Sequence, residues 1–197
     1  MRSTFAVARP KLPMVELTRL ALDGLIELRP KRFEDERGFF SETWNETAWR
    51  EAGIATAFVQ DNHSLSRTRG TLRGLHFQAP PVAQAKLVRV TRGVAFDVAV
   101  DLRPSSPTFR QWAGVTLSAL AWNQLYIPEG FAHGFLTLEP DTEVQYKASA
   151  TYSPEHDRSI RFDDPQIAIE WPLGEEDLVL SDKDRSASGL ADVETGF

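Results

Sequence analysis

The amino-acid sequence predicts a mainly-β domain, a sandwich or barrel of short antiparallel strands with a few short helices. Two observations carry this reading. From Val94 to Arg103 apolar and polar or small residues alternate without a break. Val94, Phe96, Val98, Val100 and Leu102 share one face, and Ala95, Asp97, Ala99, Asp101 and Arg103 share the other. A period of two sustained over such a stretch marks a strand with one buried face. Around it lie further short strand candidates, punctuated by Gly, Pro, Asn and Asp at intervals typical of all-β domains. With 197 residues, the chain is long enough to bury a full core as one domain.

Taken in order, residues Met1 to Thr18 carry Pro10, Pro13 and scattered charge. They read as an N-terminal extension outside the core, ordered by a partner subunit if at all. Residues 19–197 form the single domain. Glu27 to Phe40 reads as strand and loop. One helix follows, from about Glu46 to Ala52. Asn45 is placed to cap it, Trp44 and Trp49 to staple it, and Gly53 to end it. Shorter strands are expected at Lys86–Thr91, Gly114–Leu117, Gln124–Ile127, His133–Leu138 and Glu143–Ser149. After Pro172 the chain turns polar, which predicts a loop with one short helix.

Composition excludes several functions. There is no cysteine, so disulfides and thiolate metal sites are ruled out. The net charge of -6 disfavours non-specific association with nucleic acid or anionic lipid. No apolar run is long enough for a transmembrane helix. The segment Phe5-Ala6-Val7-Ala8 is too short for a signal sequence. A cytoplasmic protein without nucleic-acid or membrane partners is expected. No Gly-x-Gly-x-x-Gly, Walker loop or Gly-x-Ser-x-Gly elbow occurs.

The chemistry-bearing residues are few. Of four histidines, His63, His76 and His133 lie in strand-rich contexts with glycine nearby, and His156 does not. Any one of them alone reads equally well as a hydrogen-bonded core histidine. A metal-binding barrel commonly offers His-x-His with a following Glu. Here Gln78 stands two residues after His76, and no Glu follows before Glu129. A metal site is therefore poorly supplied with ligands. Arg73, His76 and Lys86 either converge in one cavity, joining a base that works near neutral pH to positive charge, or are surface cations beside a core histidine. Tyr146 and Tyr152 are either core rings or, for one of them, a proton donor. The quartet Ser181-Asp182-Lys183-Asp184 is a solvated turn unless the tail folds back so that Asp184 reaches His76.

Read together, several blocks resemble one family, the dTDP-4-dehydrorhamnose 3,5-epimerases of dTDP-L-rhamnose biosynthesis. The blocks are Asp35-Glu36-Arg37-Gly38-Phe39-Phe40, Val59-Gln60-Asp61-Asn62-His63-Ser64 and Leu72-Arg73-Gly74-Leu75-His76-Phe77-Gln78. Lys86-Leu87-Val88-Arg89, Asp97 to Arg103 and Ile127 to Phe135 follow, then Tyr146-Lys147, Asp163-Asp164-Pro165, Trp171-Pro172 and Ser181 to Asp184. The resemblance runs from about Leu25 to Leu190. It implies a cupin-like jelly-roll β-barrel, a homodimer, a dTDP-sugar substrate, and no metal or other cofactor.

Residue by residue, the resemblance makes His76 the catalytic base and Asp184 the carboxylate that orients it. Tyr146 becomes the acid on the opposite face of the sugar, and Lys86 the group near the ketone oxygen. Arg37, Glu42, Gln60, Asn62, Arg73, His133, Asp157 and Lys183 fall at substrate-binding positions, and Tyr152 where a ring stacks on thymine. Phe77 stands where the family often has Tyr. The implied reaction inverts C3 and C5 of a 4-keto sugar by removing protons α to the ketone through an enolate. Two alternatives stand beside it: a single-position epimerase of another deoxysugar pathway, and a non-catalytic nucleotide-sugar-binding barrel. A metal-dependent cupin is a third.

Overall fold

A computed structural model describes residues 14–197. Thirteen β-strands dominate it. They are β1 (Val15–Arg19), β2 (Ile26–Pro30), β3 (Phe33–Asp35), β4 (Gly38–Phe40), β5 (Gln60–Ser66), β6 (Leu72–Gln78) and β7 (Lys86–Arg92), then β8 (Val94–Asp101), β9 (Trp112–Ser118), β10 (Gln124–Ile127), β11 (Phe131–Thr137), β12 (Thr142–Ala148) and β13 (Asp157–Ser159). Two short α-helices, α1 (Glu46–Glu51) and α2 (Asp182–Arg185), and two 3-10 turns complete the secondary structure of the described residues.

Eight strands make the jelly roll. One sheet contains β5-β12-β7-β10 and is extended by β2 and β1. The other contains β6-β11-β8-β9 and is extended by β13. All pairings are antiparallel. Successive strands from β5 to β8, and again from β9 to β12, cross to the opposite sheet. This crossing brings residues distant in sequence into one interior.

Three apolar clusters hold the fold. The barrel interior is filled by Val88, Val90, Ala95, Ala99, Leu117, Leu125, Phe131, Phe135 and Val144. Outside the six-stranded sheet, α1 packs Trp49 against Ile26, Leu28 and Leu87. Outside the five-stranded sheet, the C-terminal segment lays Ile167 and Leu190 over Leu75, Val98, Val100 and Leu102. The α1 helix forms as its sequence predicts. The side chain of Asn45 accepts from the Ala48 N–H at 3.1 Å, and Trp44 meets Trp49 edge-on at 5.7 Å.

Three expectations need correction. The alternation in β8 predicted one buried face, but both are buried. Its apolar stripe faces the C-terminal roof, and its small residues Ala95 and Ala99 face the barrel interior, where little space is left. The extension expected over residues 1–18 does not run to Thr18. Val15–Arg19 pairs with β2 through a full ladder, and Val15 is buried. An edge strand with only its first residue buried reads as polar tail in one dimension. Residues 1–13 of that extension lie outside the described residues. The C-terminal stretch after Pro172 is also less solvated than its polarity suggested, because Asp184 and Leu190 are buried.

At Gly74 the backbones of the paired strands β6 and β11 come too close to admit a side chain. A Cβ there would lie 2.5 Å from the Gly134 Cα, and the φ of +134° is foreign to L side chains. Gly74→Ala should therefore cost about 2 kcal/mol or more, from strain and overpacking together. Urea unfolding of the variant beside the wild type measures it, and an unchanged midpoint would refute the close-packing argument.

Candidate active site

The barrel interior is open at one end, where a cavity of about 330 Å³ is lined by residues from both sheets and the tail. His76 and Gln78 come from β6, Lys86 from β7, His133 from β11 and Tyr146 from β12. Arg73 and Tyr152 stand at its edge, and Asp157, Lys183 and Asp184 close one side.

His76 is the centre of the arrangement. Its Nε2 lies 2.6 Å from the Asp184 Oδ1. A carboxylate only accepts, so Nε2–H donates and Nδ1 carries the lone pair. Asp184 is itself held by the Ser181 hydroxyl, which donates to Oδ2 at 2.7 Å, while Ser181 caps α2 by accepting from the Asp184 N–H at 3.1 Å. Burial raises the Asp184 carboxyl pKa, but the bonds from His76, Ser181 and the Gly74 backbone outweigh it and leave it below the usual carboxylate range.

Lys86 is buried, with its Nζ 3.4 Å from the His76 carbonyl oxygen and 5.8 Å from the centre of the Tyr146 ring. Burial lowers its pKa to about 8, against the opposing pull of Asp97 and Asp157. At neutral pH it remains an ammonium ion. Burial raises the Tyr146 hydroxyl above its ordinary value, with Arg73 opposing and Asp157 assisting, so the ring keeps its proton and is competent to donate one.

His133 pairs across the ladder with His76. Its Nε2 lies 3.0 Å from both oxygens of Asp97. Burial lowers its pKa, and the charges of Lys86 and His76 act the same way against Asp97. Its imidazole is therefore neutral. Sequence reasoning missed Asp97. Its signal was an acidic residue in the middle of an otherwise uncharged strand interior, where a carboxylate survives only with partners.

The remaining predicted residues divide. The guanidinium of Arg73 reaches only the Ser66 hydroxyl and the Leu65 carbonyl, both at 3.3 Å, and no carboxylate pairs with it among the described residues. Lys183 and Asp157 pair with each other at 2.5 Å, and the Tyr152 hydroxyl donates to the same Asp157 oxygen at 3.2 Å. Gln60 donates to the Asn62 side chain at 3.0 Å and accepts from the Tyr152 N–H at 2.9 Å, so both its ends are engaged at the rim. Gln60 and Asn62 do not line the cavity wall, and neither do Arg37 and Glu42. Arg37 pairs with Asp35 on the exposed β3–β4 hairpin, and Glu42 accepts from Asn45. Among the described residues no three His, Cys, Asp or Glu side chains gather as a metal ion would require.

A jelly roll whose cavity sets a carboxylate-held histidine, a buried ammonium ion and a protonated tyrosine around one space defines a class: a barrel equipped for acid–base chemistry on an anionic ligand. The comparisons narrow it. The family model for dTDP-4-dehydrorhamnose 3,5-epimerase matches residues 19–192, and the chain belongs to that family of isomerases. A dTDP-4-dehydrorhamnose 3,5-epimerase of Sinorhizobium fredii is 51% identical over 170 residues, covering 86% of this chain and 87% of the relative. One from Pseudomonas aeruginosa is 51% identical over 181 residues, covering 91% and 98%. A crystal structure of the dTDP-6-deoxy-D-glucose-3,5-epimerase of Legionella pneumophila, in complex with dTDP-4-keto-L-rhamnose, superposes with a TM-score of 0.87 at 46% identity, covering 91% of this chain and 95% of that one.

The ammonium of Lys86 can be tested directly. Its side-chain carbon signal should titrate with a midpoint near pH 8, where a free lysine titrates near 10.5. Asp97→Asn removes the principal carboxylate that opposes burial, so the midpoint should fall further. A midpoint near 10 in the wild type would mean that the cavity is wetter than its walls indicate.

Proposed function

We propose that this protein epimerises dTDP-4-dehydro-6-deoxy-D-glucose at C3 and C5, giving dTDP-4-dehydro-L-rhamnose. The observation that carries the reading is the His76–Asp184 bond of 2.6 Å. It engages Nε2 and leaves Nδ1 as a base in the same cavity as Lys86 and Tyr146.

A C–H bond beside a ketone is acidic only because the electron pair left behind spreads onto oxygen. His76 removes the proton at C5, and in a second round at C3. The pair moves into the ring carbon–carbon bond and the C4 carbonyl becomes an enolate. Lys86 stabilises that oxygen by charge at close range, where low polarity strengthens the interaction. The Tyr146 hydroxyl returns a proton to the opposite face, which inverts the carbon, and before the second round His76 gives its proton to solvent and Tyr146 takes one back. The substrate already carries the ketone, so the step has no change of oxidation state. Arg73 and Lys183 supply charge for the diphosphate, and Tyr152 supplies the ring against which thymine stacks. Binding at that remote end positions the sugar for the proton transfers.

The working form is a homodimer in the cytoplasm. Phe33, Phe39 and Phe40 are exposed on the β3–β4 hairpin beside Arg37. An apolar surface of this kind suits a second copy. Arg37 and Glu42, which stand outside their own cavity, then bind substrate in the site of the partner. The barrel begins at β1 and ends in the tail that closes the site.

Proton NMR with the 4-keto sugar nucleotide in D2O tests the reaction. Deuterium at both C3 and C5 is expected. Incorporation at only one carbon would assign a single-position epimerase, and none at either would leave a binding barrel. His76→Ala should lower turnover by about three orders of magnitude or more while dTDP still binds. A variant that keeps substantial activity would remove His76 as base. The shared site is tested by mixing His76→Ala with Arg37→Ala, each impaired alone. Exchange of subunits should restore about a quarter of wild-type activity, because half of the sites in each mixed dimer are intact. No recovery after demonstrated exchange would place Arg37 outside the partner's site.

A further inference from the structure

Tyr152 is 57% exposed and lies on a segment that belongs to no strand or helix. Such a segment has no ladder to satisfy its backbone, yet four consecutive residues in it are each bonded to a glutamine. The Gln84 Nε2 donates to the Ala150 carbonyl at 2.8 Å. The Gln78 Nε2 donates to the Thr151 carbonyl at 3.2 Å. The Gln60 Oε1 accepts from the Tyr152 N–H at 2.9 Å, and the Gln78 Oε1 accepts from the Ser153 N–H at 2.7 Å.

The three glutamines come from β5, from β6 and from the loop between β6 and β7. Gln78 is the keystone. It is 3% exposed, it holds the residues on both sides of Tyr152, and it donates a further bond of 2.8 Å to the Val82 carbonyl. Its position two residues after His76 puts it on the same β6 face as the base, since side chains alternate along a strand. A buried amide thus ties the exposed ring to the rigid strand that carries the reacting end of the site.

We infer that Gln78 is a positioning residue for substrate binding: it presets the backbone at Tyr152 so that the ring stands ready for the nucleobase. The inference rests on the reading that Tyr152 stacks on the base. A side-chain amide suits this task because it both donates and accepts, and the two groups it serves are a carbonyl and an N–H flanking one residue. With the segment preset, binding does not have to order it, and the gain appears in affinity. Without Gln78, the Thr151 carbonyl and Ser153 N–H turn to water and the ring samples other directions.

The full-length protein carries the test. Gln78→Met keeps the length of the side chain and removes every hydrogen bond. It should raise the Kd for dTDP, measured by calorimetry, by about tenfold, with KM rising in step and kcat staying within about twofold. In a Tyr152→Ala background the same substitution should add less than about twofold, because the group it positions is gone. A loss in kcat with unchanged KM, or an undiminished penalty in the Tyr152→Ala background, would overturn the assignment. Tyr152→Ala with unchanged dTDP affinity would instead overturn the stacking reading on which it rests. Should Gln78→Met fail to fold, Gln84→Met probes the outer tie of the same segment. There a rise of about threefold in dTDP Kd at constant kcat supports the inference, and no change defeats it.

Discussion

The hydrogen bond between His76 and Asp184 joins residues 108 positions apart, and the rest of the site depends on it. Asp184 is on α2, a single turn near the end of the chain. Such a turn has no stability of its own. It is held because the C-terminal segment lies on the outer face of the five-stranded sheet, where Ile167 and Leu190 are buried against Val98, Val100 and Leu102. Each fully buried aliphatic side chain contributes about 1.5–3 kcal/mol, and a charge-assisted hydrogen bond about as much as one of them. The apolar roof therefore fixes where the tail goes, and the hydrogen bond sets its final angle. This explains why β8 is buried on both faces: one face is barrel core and the other is the floor on which the tail rests.

The cavity that results balances charge with few groups. Lys86, His76 and His133 stand close together, and three positive charges in a buried space would repel one another. Asp97 and Asp184 resolve this differently. Asp184 receives the Nε2–H of His76 and fixes the ring with Nδ1 facing away from it. Asp97 receives the Nε2–H of His133, which burial keeps neutral, and it also supports the charge on Lys86. The same burial that lowers the Lys86 pKa raises that of Tyr146. One physical cause, removal from water, thus sets both groups in one cavity, the lysine with its pKa lowered and the phenol with its pKa raised.

The far end of the site has a different logic. Arg73 has no carboxylate partner among the described residues, whereas Lys183 is tied to Asp157. On the function proposed above, a diphosphate meets one free cation and one that must leave its pair. The Tyr152 ring stands at the same end on a backbone held by side chains in place of a ladder. The two ends are therefore built on different supports: His76, Lys86 and Tyr146 sit on packed strands, and the Tyr152 ring sits on a bridged loop.

Much of this was legible in the order of residues. The period-two run of β8, the Asn45 cap and Trp44–Trp49 contact of α1, and the strand at Gln124–Ile127 follow from local pattern, because alternation and capping are decided by neighbours. The resemblance carried by blocks such as Arg73-Gly74-Leu75-His76 extended this to the family. Tertiary structure alone decided the rest. It showed that Val15–Arg19 is an edge strand, that Asp97 is the partner of His133, and that Arg37 and Glu42 stand outside the cavity of their own chain. Sequence determined which residues could form strands and which could do chemistry, since those are properties of side chains and their near neighbours. Which of them meet was settled by burial of apolar faces across the two sheets and the tail, an interaction between segments far apart in the chain that no local pattern records.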